Sequence, residues 1–313
     1  DQAILQVANR DYRKCQSSDL GFSVGPRLNA AGRLEDMSIG IDCLLAESFE
    51  DALSIASRLD QLNRSRRNIE KEMLEQASID LERYFAQKNL VAKDEKRPSA
   101  LCLFDSSWHQ GVIGILASRI KEKINRPVIV FACDEDTDNS IIKGSARSVQ
   151  GVHIRDALAL VDARSPDLIK KFGGHAMAAG LSIKQNDFQI FAEKFCHAVE
   201  HLLNGEVIKD EIVTDAGLLS NQLNLSFACQ LRALGPWGQG FPEPVFDDEF
   251  EVVASRIVAQ EHLKLQLTKF DKIIDGIFFR YPEESLAQVG DKVHAVYKLD
   301  INEFKGNTCA IDY

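Results

Sequence analysis

A chain of 313 residues that is 45% hydrophobic can bury two or three ordinary cores, because domains run to roughly 100–200 residues. Its formal net charge of −10 excludes a uniformly basic nucleic-acid binder, so phosphate contacts must come from local clusters. No apolar run approaches the roughly 20 residues of a bilayer span, and the amino terminus lacks a basic start followed by an apolar core, which points to a cytoplasmic chain.

The acid is unevenly spread. Residues 1–50 carry 5 basic and 8 acidic side chains, 51–92 carry 7 and 7, 93–205 carry 15 and 14, and 206–313 carry 10 and 18. The middle of the chain is therefore the least repulsive to a polyanion. The first residues lack an initiator Met and already follow a helical pattern, so the chain is expected to begin inside a longer protein. Seven cysteines (Cys15, Cys43, Cys102, Cys133, Cys196, Cys229 and Cys309) are odd in number, dispersed and without a C-x-x-C pair. That spacing disfavours a disulfide framework and a structural zinc site, and predicts buried small hydrophobes in a reducing compartment.

In chain order, the first motif is Gly25-Pro-Arg-Leu-Asn-Ala-Ala-Gly-Arg33, read as a small-residue loop flanked by Arg27 and Arg33. Guanidinium binds phosphate oxygens bidentately and glycine allows close backbone approach, so the loop suits phosphate. A structural turn with solvated arginines is the alternative. Apolar residues at Ala52, Ile55, Leu59, Leu62, Ile69, Met73, Ala77, Leu81 and Tyr84 then step by three or four, broken only at Arg66. With Ser48 and Asp51 as a capping-box-like start, they predict a helix over 49–92. About 38 residues at 1.5 Å each span about 57 Å, enough to connect two domains.

A short apolar run at 100–104, a helical pattern at 111–124, and strands at 127–132 and from 141 predict a β-α-β unit. Ser165-Pro166 fits a helix start, residues 178–183 a strand, and 187–203 a helix stopped by Asn204-Gly205. Within this α/β domain, placed at 93–205, three further motifs stand out. Ser107-Trp-His-Gln-Gly-Val-Ile-Gly114 lies at a strand-to-helix junction, where free N–H groups favour anions, with His109 as ligand, base or cap. Strand alternation puts Lys143, Ser145 and Arg147 on one face, either as a phosphate cradle or as an exposed strand face. Phe172-Gly-Gly-His-Ala-Met-Ala-Ala-Gly180 places Gly173 and Gly174 before His175, suggesting close backbone approach with an imidazole at its edge. A tight turn would also explain the glycines. The acidic run from Asp134 to Asp138 has no histidine beside it and reads as a solvated loop.

From 206 the pattern changes to short strands at 212–218, 245–258, 263–268, 273–279, 292–299 and 308–311, with a helix at 220–234. This fits a small closed β-barrel. Gly235-Pro-Trp-Gly-Gln-Gly-Phe-Pro-Glu-Pro244 reads either as a connector or as a platform presenting Trp237 and Phe241.

Taken together, the Gly-Gly-His turn, Trp-His-Gln-Gly-Val-Ile-Gly and Gly-Ser-Ala-Arg resemble the DHHA1 domain of the DHH phosphoesterase superfamily. Gly-Pro-Arg-Leu-Asn-Ala-Ala-Gly-Arg before a long helix, with a barrel after it, narrows the resemblance to the RecJ exonucleases. The resemblance implies an α/β multidomain chain. Residues 1–48 would be the end of a DHH catalytic region, 49–92 a connecting helix, 93–205 a DHHA1-type domain with a central sheet, and 206–313 an OB-type β-barrel.

The implied function is the substrate-binding part of a metal-dependent 5′-to-3′ exonuclease on single-stranded DNA, used in recombination and repair. The alternatives are a phosphodiesterase on short oligonucleotides or cyclic dinucleotides, and a stand-alone binding module. The resemblance places Mn²⁺ or Mg²⁺ on an amino-terminal domain whose Asp-His-His triplet this sequence lacks, and implies a chain inactive by itself. His175 would contact the phosphate being cut, and Arg27, Arg33, His109, Lys143, Ser145, Arg147, Gly173 and Gly174 would hold substrate phosphates. Single-stranded DNA is the implied partner, with a single-strand-binding protein and a helicase as candidate protein partners.

Overall fold

In the computed structural model the amino-terminal stretch forms short helices: α1 (Gln2–Val7), the single turn α2 (Ser17–Asp19), α3 (Gly25–Leu34) and α4 (Ser38–Leu45). The structure describes residues 2–87, 98–134, 140–209, 211–238, 240–259, 262–279, 281, 286–302 and 308–312. Its contacts divide the chain into two units, Asp1–Asp210 and Glu211–Tyr313.

The expected glycine loop at 25–33 is instead helix α3. Pro26 occupies the first turn, where a missing N–H costs nothing, and the good helix former Ala fills the inward positions 30 and 31. Helix α5 (Phe49–Gln87) then runs for 39 residues. Ser48 starts it, accepting from the Asp51 N–H at 3.0 Å while donating to the Asp51 carboxylate at 2.6 Å. The remainder of the predicted helix, from 88, lies outside the described residues.

Two cores share α5. Ala56 and Leu59 pack with Ala3, Ile4, Leu5, Val24, Ala31 and Cys43, while Met73, Ala77 and Leu81 pack against the helix and sheet that follow. Between them the inward face is polar. Asp60 pairs with Arg27 at 2.7 Å, and Glu70 holds both Arg66 at 2.8 Å and Arg119 at 3.2 Å. The break at Arg66 in the apolar stripe marks this crossing.

The sheet elements are β1 (Leu101–Phe104), α6 (Ile113–Ile124), β2 (Val128–Cys133), β3 (Ile141–Arg147), α7 (Ile154–Arg164), β4 (Ile169–Gly174), β5 (Ala178–Lys184) and α8 (Phe188–Leu203). Strand order is β1-β2-β3-β5-β4, with β1 and β2 parallel and the other neighbours antiparallel. The β1-α6-β2 crossover is the predicted β-α-β unit. Helix α8 stops at Asn204, left-handed at φ 47°, followed by Gly205 at φ 88°.

Two expectations here need correction. Ser165 ends α7 rather than starting a helix, since a proline just past a terminus stops a helix as well as it starts one. The true start is capped by His153, whose side chain accepts from the Asp156 N–H, an unusual cap for which the sequence gives no warning. Asp134 is not solvated: it is buried and pairs with Lys143 at 2.7 Å. Residues 135–139 of the acidic run lie outside the described residues.

The cysteine expectation also fails in part. Cys43 is buried, Cys102, Cys133 and Cys196 are half-buried, and Cys15 and Cys229 are exposed. The Cys309 side chain lies outside the described residues.

The second unit holds α9 (Leu225–Leu234), β6 (Phe246–Val258), β7 (His262–Lys269), β8 (Lys272–Phe278), β9 (Lys292–Asn302) and β10 (Thr308–Asp312). The strands close as β10-β8-β7-β6-β9, a five-stranded barrel of OB type, around Phe246, Phe250, Val252, Leu265, Leu267 and Tyr297. The expected strand at 212–218 is not a strand. It is an extended strap fixed by side chains: Thr214 donates to Asp247, and the Leu218 N–H donates to Asp248 at 3.0 Å. The helix expected at 220–234 begins only at Leu225, where Asn224 caps the Phe227 N–H at 3.0 Å. Among the described residues no helix is long and apolar enough to cross a membrane.

Candidate nucleic-acid interface

Alternation along β3 sends Gly144 and Ala146 inward and Lys143, Ser145 and Arg147 to the opposite face. Register extends that face across the sheet. Lys143 pairs with Ser182, Ser145 with Gly180 and Arg147 with Ala178 on β5. On β4, Lys171 pairs with Ser182 and Gly173 with Gly180.

The two faces are covered unequally. Phe131, Ile142, Ala146, Leu181 and Ile183 pack on one side with α7 and α8. On the other side, Leu101, Val128, Val130 and Ala132 of β1 and β2 lie under α6 and α5, but Lys171, Gly173 and Gly180 are exposed. Helix α6 reaches as far as β3, and beyond it β5 and β4 form an open floor.

Where the cover ends, a cleft of about 330 Å³ is lined by Arg33, Gln110, Gly111, Gly114, Lys143, Ser145 and Arg147, among others. Arg33, in the last turn of α3, donates through Nη1 to the Gly111 carbonyl at 3.1 Å. Gly111 is indispensable there, because an added Cβ would stand 2.0 Å from the Arg33 carbonyl oxygen. His109 accepts the Gly111 N–H through Nδ1 at 3.0 Å, so of its three possible roles the local one, capping the turn before α6, is filled. Trp108 is buried and donates to Gln76 of α5 at 3.0 Å.

The cleft concentrates positive charge. Arg147 donates to Ser145 Oγ at 3.1 Å and to the Ala146 carbonyl at 2.8 Å, and among the described residues neither it nor Arg33 has a carboxylate partner. Burial lowers the Arg147 pKa from its ordinary value, and Arg33 lowers it further. Arg66 is lowered too, chiefly by burial, against the raising effect of Glu70, with Arg67 and Arg33 adding repulsion. Cations held close together and partly desolvated are the electrostatic condition for binding an anion.

The other predicted residues fall elsewhere. Arg27 is not in the cleft: its guanidinium is buried between α3 and α5, bonded to Asp60 and the Ser23 carbonyl at 2.8 Å. Lys143 lines the cleft but pairs with Asp134. Gly174, at φ 149°, serves the turn, since a Cβ would meet the Ala178 carbonyl at 2.4 Å. His175 is exposed in the connection to β5. Sequence reading missed Gln110 at the cleft and Gly180 and Ser182 on the floor, although the alternation of β5 carried the signal for the last two.

In the barrel unit Trp237 and Phe241 pack against each other, centroids 4.8 Å apart and ring planes tilted by 33°, with Phe241 55% exposed. Four of the barrel's cations are paired: Arg232, Lys264, Lys269 and Lys298 face Asp300, Asp275, Asp248 and Glu243. Among the described residues no three His, Cys, Asp or Glu side chains come together as a metal site.

Comparison with known proteins agrees with both units. The DHHA1 domain model matches residues 97–204 and the RecJ OB domain model residues 214–310. The single-stranded-DNA-specific exonuclease RecJ of Salmonella typhimurium is 44% identical over 98% of this chain and 52% of its own length. The RecJ of Escherichia coli is 43% identical over the same shares. The chain spans about half the length of the curated relatives it matches. A crystal structure of RecJ from Thermus thermophilus in complex with Mg²⁺ superposes with a TM-score of 0.76, at 24% identity over 99% of this chain and 45% of that one. The chain thus belongs to the RecJ family, of which it carries the DHHA1 and OB domains.

Proposed function

We infer that this chain is the strand-receiving part of a metal-dependent 5′-to-3′ exonuclease that degrades single-stranded DNA in recombination and repair. The observation that carries the reading is the Arg147–Ser145 pair in a cleft with Arg33, where two guanidiniums and a hydroxyl meet and, among the described residues, no carboxylate pairs with either guanidinium. A terminal phosphate monoester carries roughly −1.5 to −2 charges near neutral pH, more than an internal diester. Such a cluster therefore favours a 5′-phosphorylated end over a continuing strand. Ile113 and Gly114 bring the positive end of the α6 dipole to the same cleft.

Placing the strand's end fixes which phosphodiester reaches the point of cleavage, and fixed cations hold charge as it develops. His175, exposed beside the floor, is the group we assign to the phosphate being cut. Divalent ions such as Mn²⁺ or Mg²⁺ supply an activated water in this chemistry; the described residues offer no ligand set for them, so no step is assigned to a metal here. In the barrel, strand contact would rest on stacking at Trp237 and Phe241. Its acidic surface is where a single-strand-binding protein or helicase would be sought.

Fluorescence anisotropy with 5′-phosphorylated and 5′-hydroxyl oligothymidylates tests the reading. The wild-type chain is expected to prefer the phosphorylated strand, and Arg147→Ala to abolish the preference. Equal loss on both strands would remove the end-recognition role. Incubated alone with Mn²⁺, the chain is expected to leave the oligonucleotide intact.

A further inference from the structure

Beyond the cleft, the open floor carries a cation that the reading so far leaves unused. Lys171 lies on β4, the sheet's edge strand, in register with Ser182, which is itself in register with Lys143. It is exposed, and among the described residues its side chain makes no ion pair or hydrogen bond. A β-bulge between Ile169 and Lys171 inserts Lys170 as an extra residue. The insertion keeps Ile169 in the core while Lys171 shares the open face with Gly173, and bulges commonly re-aim side chains in this way.

Between Lys171 and the cleft lie Gly173 and Gly180, and the fold does not require either to be glycine. A Cβ added at Gly173 meets nothing within 4 Å, and one at Gly180 meets only the Gly144 carbonyl at 3.9 Å; neither has a positive φ. This differs from Gly111, Gly144 and Gly174, where a Cβ would strike neighbours at 2.0, 2.5 and 2.4 Å. Glycine weakens a strand interior and there often marks a close approach by another molecule. Two bare positions side by side on an exposed face leave room for an occupant from outside the chain.

We propose that Lys171 and Ser182 form a second phosphate subsite, reached by a strand that leaves the Ser145–Arg147 cleft and crosses the Gly180–Gly173 floor toward the β4 edge. One two-residue step along the strand and two strand spacings across the sheet separate Ser145 from Lys171, about 12 Å in all. A few nucleotides of extended single strand span that distance. The Lys171 ammonium takes a backbone phosphate as a point charge, Ser182 supplies a hydroxyl donor, and the sugar-phosphate backbone lies flat on the glycines. The subsite rests on the reading of the cleft as the place where the strand's end is held.

The test is binding of 5′-phosphorylated oligothymidylates of increasing length to the 313-residue chain at several salt concentrations. Lys171→Gln is expected to weaken binding of an eight-nucleotide strand about 3–10-fold, leave a dinucleotide unaffected, and reduce the salt slope by about 0.7, the value for one phosphate of a single strand. Lys170→Gln, out of register with Ser182, is the control and should change the slope less. Gly173→Val is expected to weaken the long strand at an unchanged or higher melting temperature, whereas a glycine needed for packing would lose stability.

If Lys171→Gln binds both lengths like wild type while Arg147→Ala does not, the second subsite is refuted and the cleft reading stands. If Arg147→Ala also binds like wild type, or wild type shows no length-dependent binding, the cleft reading fails and takes the subsite with it.

Discussion

Arg147 donates through Nη1 to Ser145 Oγ at 3.1 Å, so the cation and the hydroxyl are set as one unit before any anion arrives. Gly114 at the start of α6 makes the arrangement possible: a Cβ there would stand 3.0 Å from both Ser145 Oγ and Arg147 Nη2.

Gly114→Ala therefore sets two effects against each other. Alanine is the better helix former by about 1 kcal/mol, so the thermal midpoint should hold or rise. The displaced guanidinium should weaken binding of a 5′-phosphorylated strand several-fold. Calorimetry and anisotropy on one preparation check this, and a parallel fall in both would assign the glycine to packing alone.

The two arginines of the Gly25–Arg33 motif should separate cleanly. Arg27 forms a buried pair with Asp60, their side chains 11% and 9% exposed, and breaking a buried pair by removing one partner costs about 3–5 kcal/mol. Arg64, which also reaches Asp60 at 2.7 Å, should hold Arg27→Met to the low end of that range in urea denaturation, with phosphate affinity of the folded protein unchanged. Arg33→Ala should do the reverse, weakening phosphate binding while stability changes little. Similar binding losses in both variants would return Arg27 to the site.

That contrast shows how far the sequence reaches. Lys143, Ser145 and Arg147 were legible because alternation in a strand is local: three residues two apart share a face whatever the sheet does. The length of α5 and the stop at Asn204 were legible for the same reason. Arg27 and Arg33 were indistinguishable in sequence, because what separates them is a long-range partner, Asp60 on α5 for one and the Gly111 carbonyl for the other. The open floor was hidden for a related cause. That α6 lies over β2 and β3 and leaves β5 and β4 bare follows from strand order, and β5 precedes β4 across the sheet although it follows it in the chain. The strap at 211–218 looked like a strand because its apolar spacing is strand-like, but apart from the Asp215 N–H on the Val245 carbonyl its partners are side-chain carboxylates.

The thiols should divide by exposure. Burial, and then neighbouring Cys196, push Cys102 well above its ordinary pKa, and a thiol reacts through its thiolate. Brief treatment of the native protein with maleimide should label Cys15 and Cys229, both exposed, and spare Cys102 until denaturant is added. Peptide mass spectrometry reads the sites, and early labelling of Cys102 would contradict the packing of β1 against α8.

The strap over the barrel should loosen in acid. Asp247 is held below its ordinary value of 3.8, first by the Thr214 hydroxyl and then by His294, which approaches its carboxylate at 2.8 Å. A carboxyl whose folded pKa is depressed favours the folded state while ionised. Its contribution is therefore fully present above the unfolded value and is lost as pH falls through the folded one. Hydrogen exchange over residues 211–219 should accelerate as pH falls below about 4, beyond the intrinsic pH dependence of exchange. Asp247→Asn should flatten that acid limb, because asparagine keeps an acceptor for Thr214 but does not titrate. Thr214→Val should raise exchange in the strap already at neutral pH, since it removes the hydroxyl itself. If the acid limb persists unchanged in Asp247→Asn, the strap's pH response does not arise from Asp247.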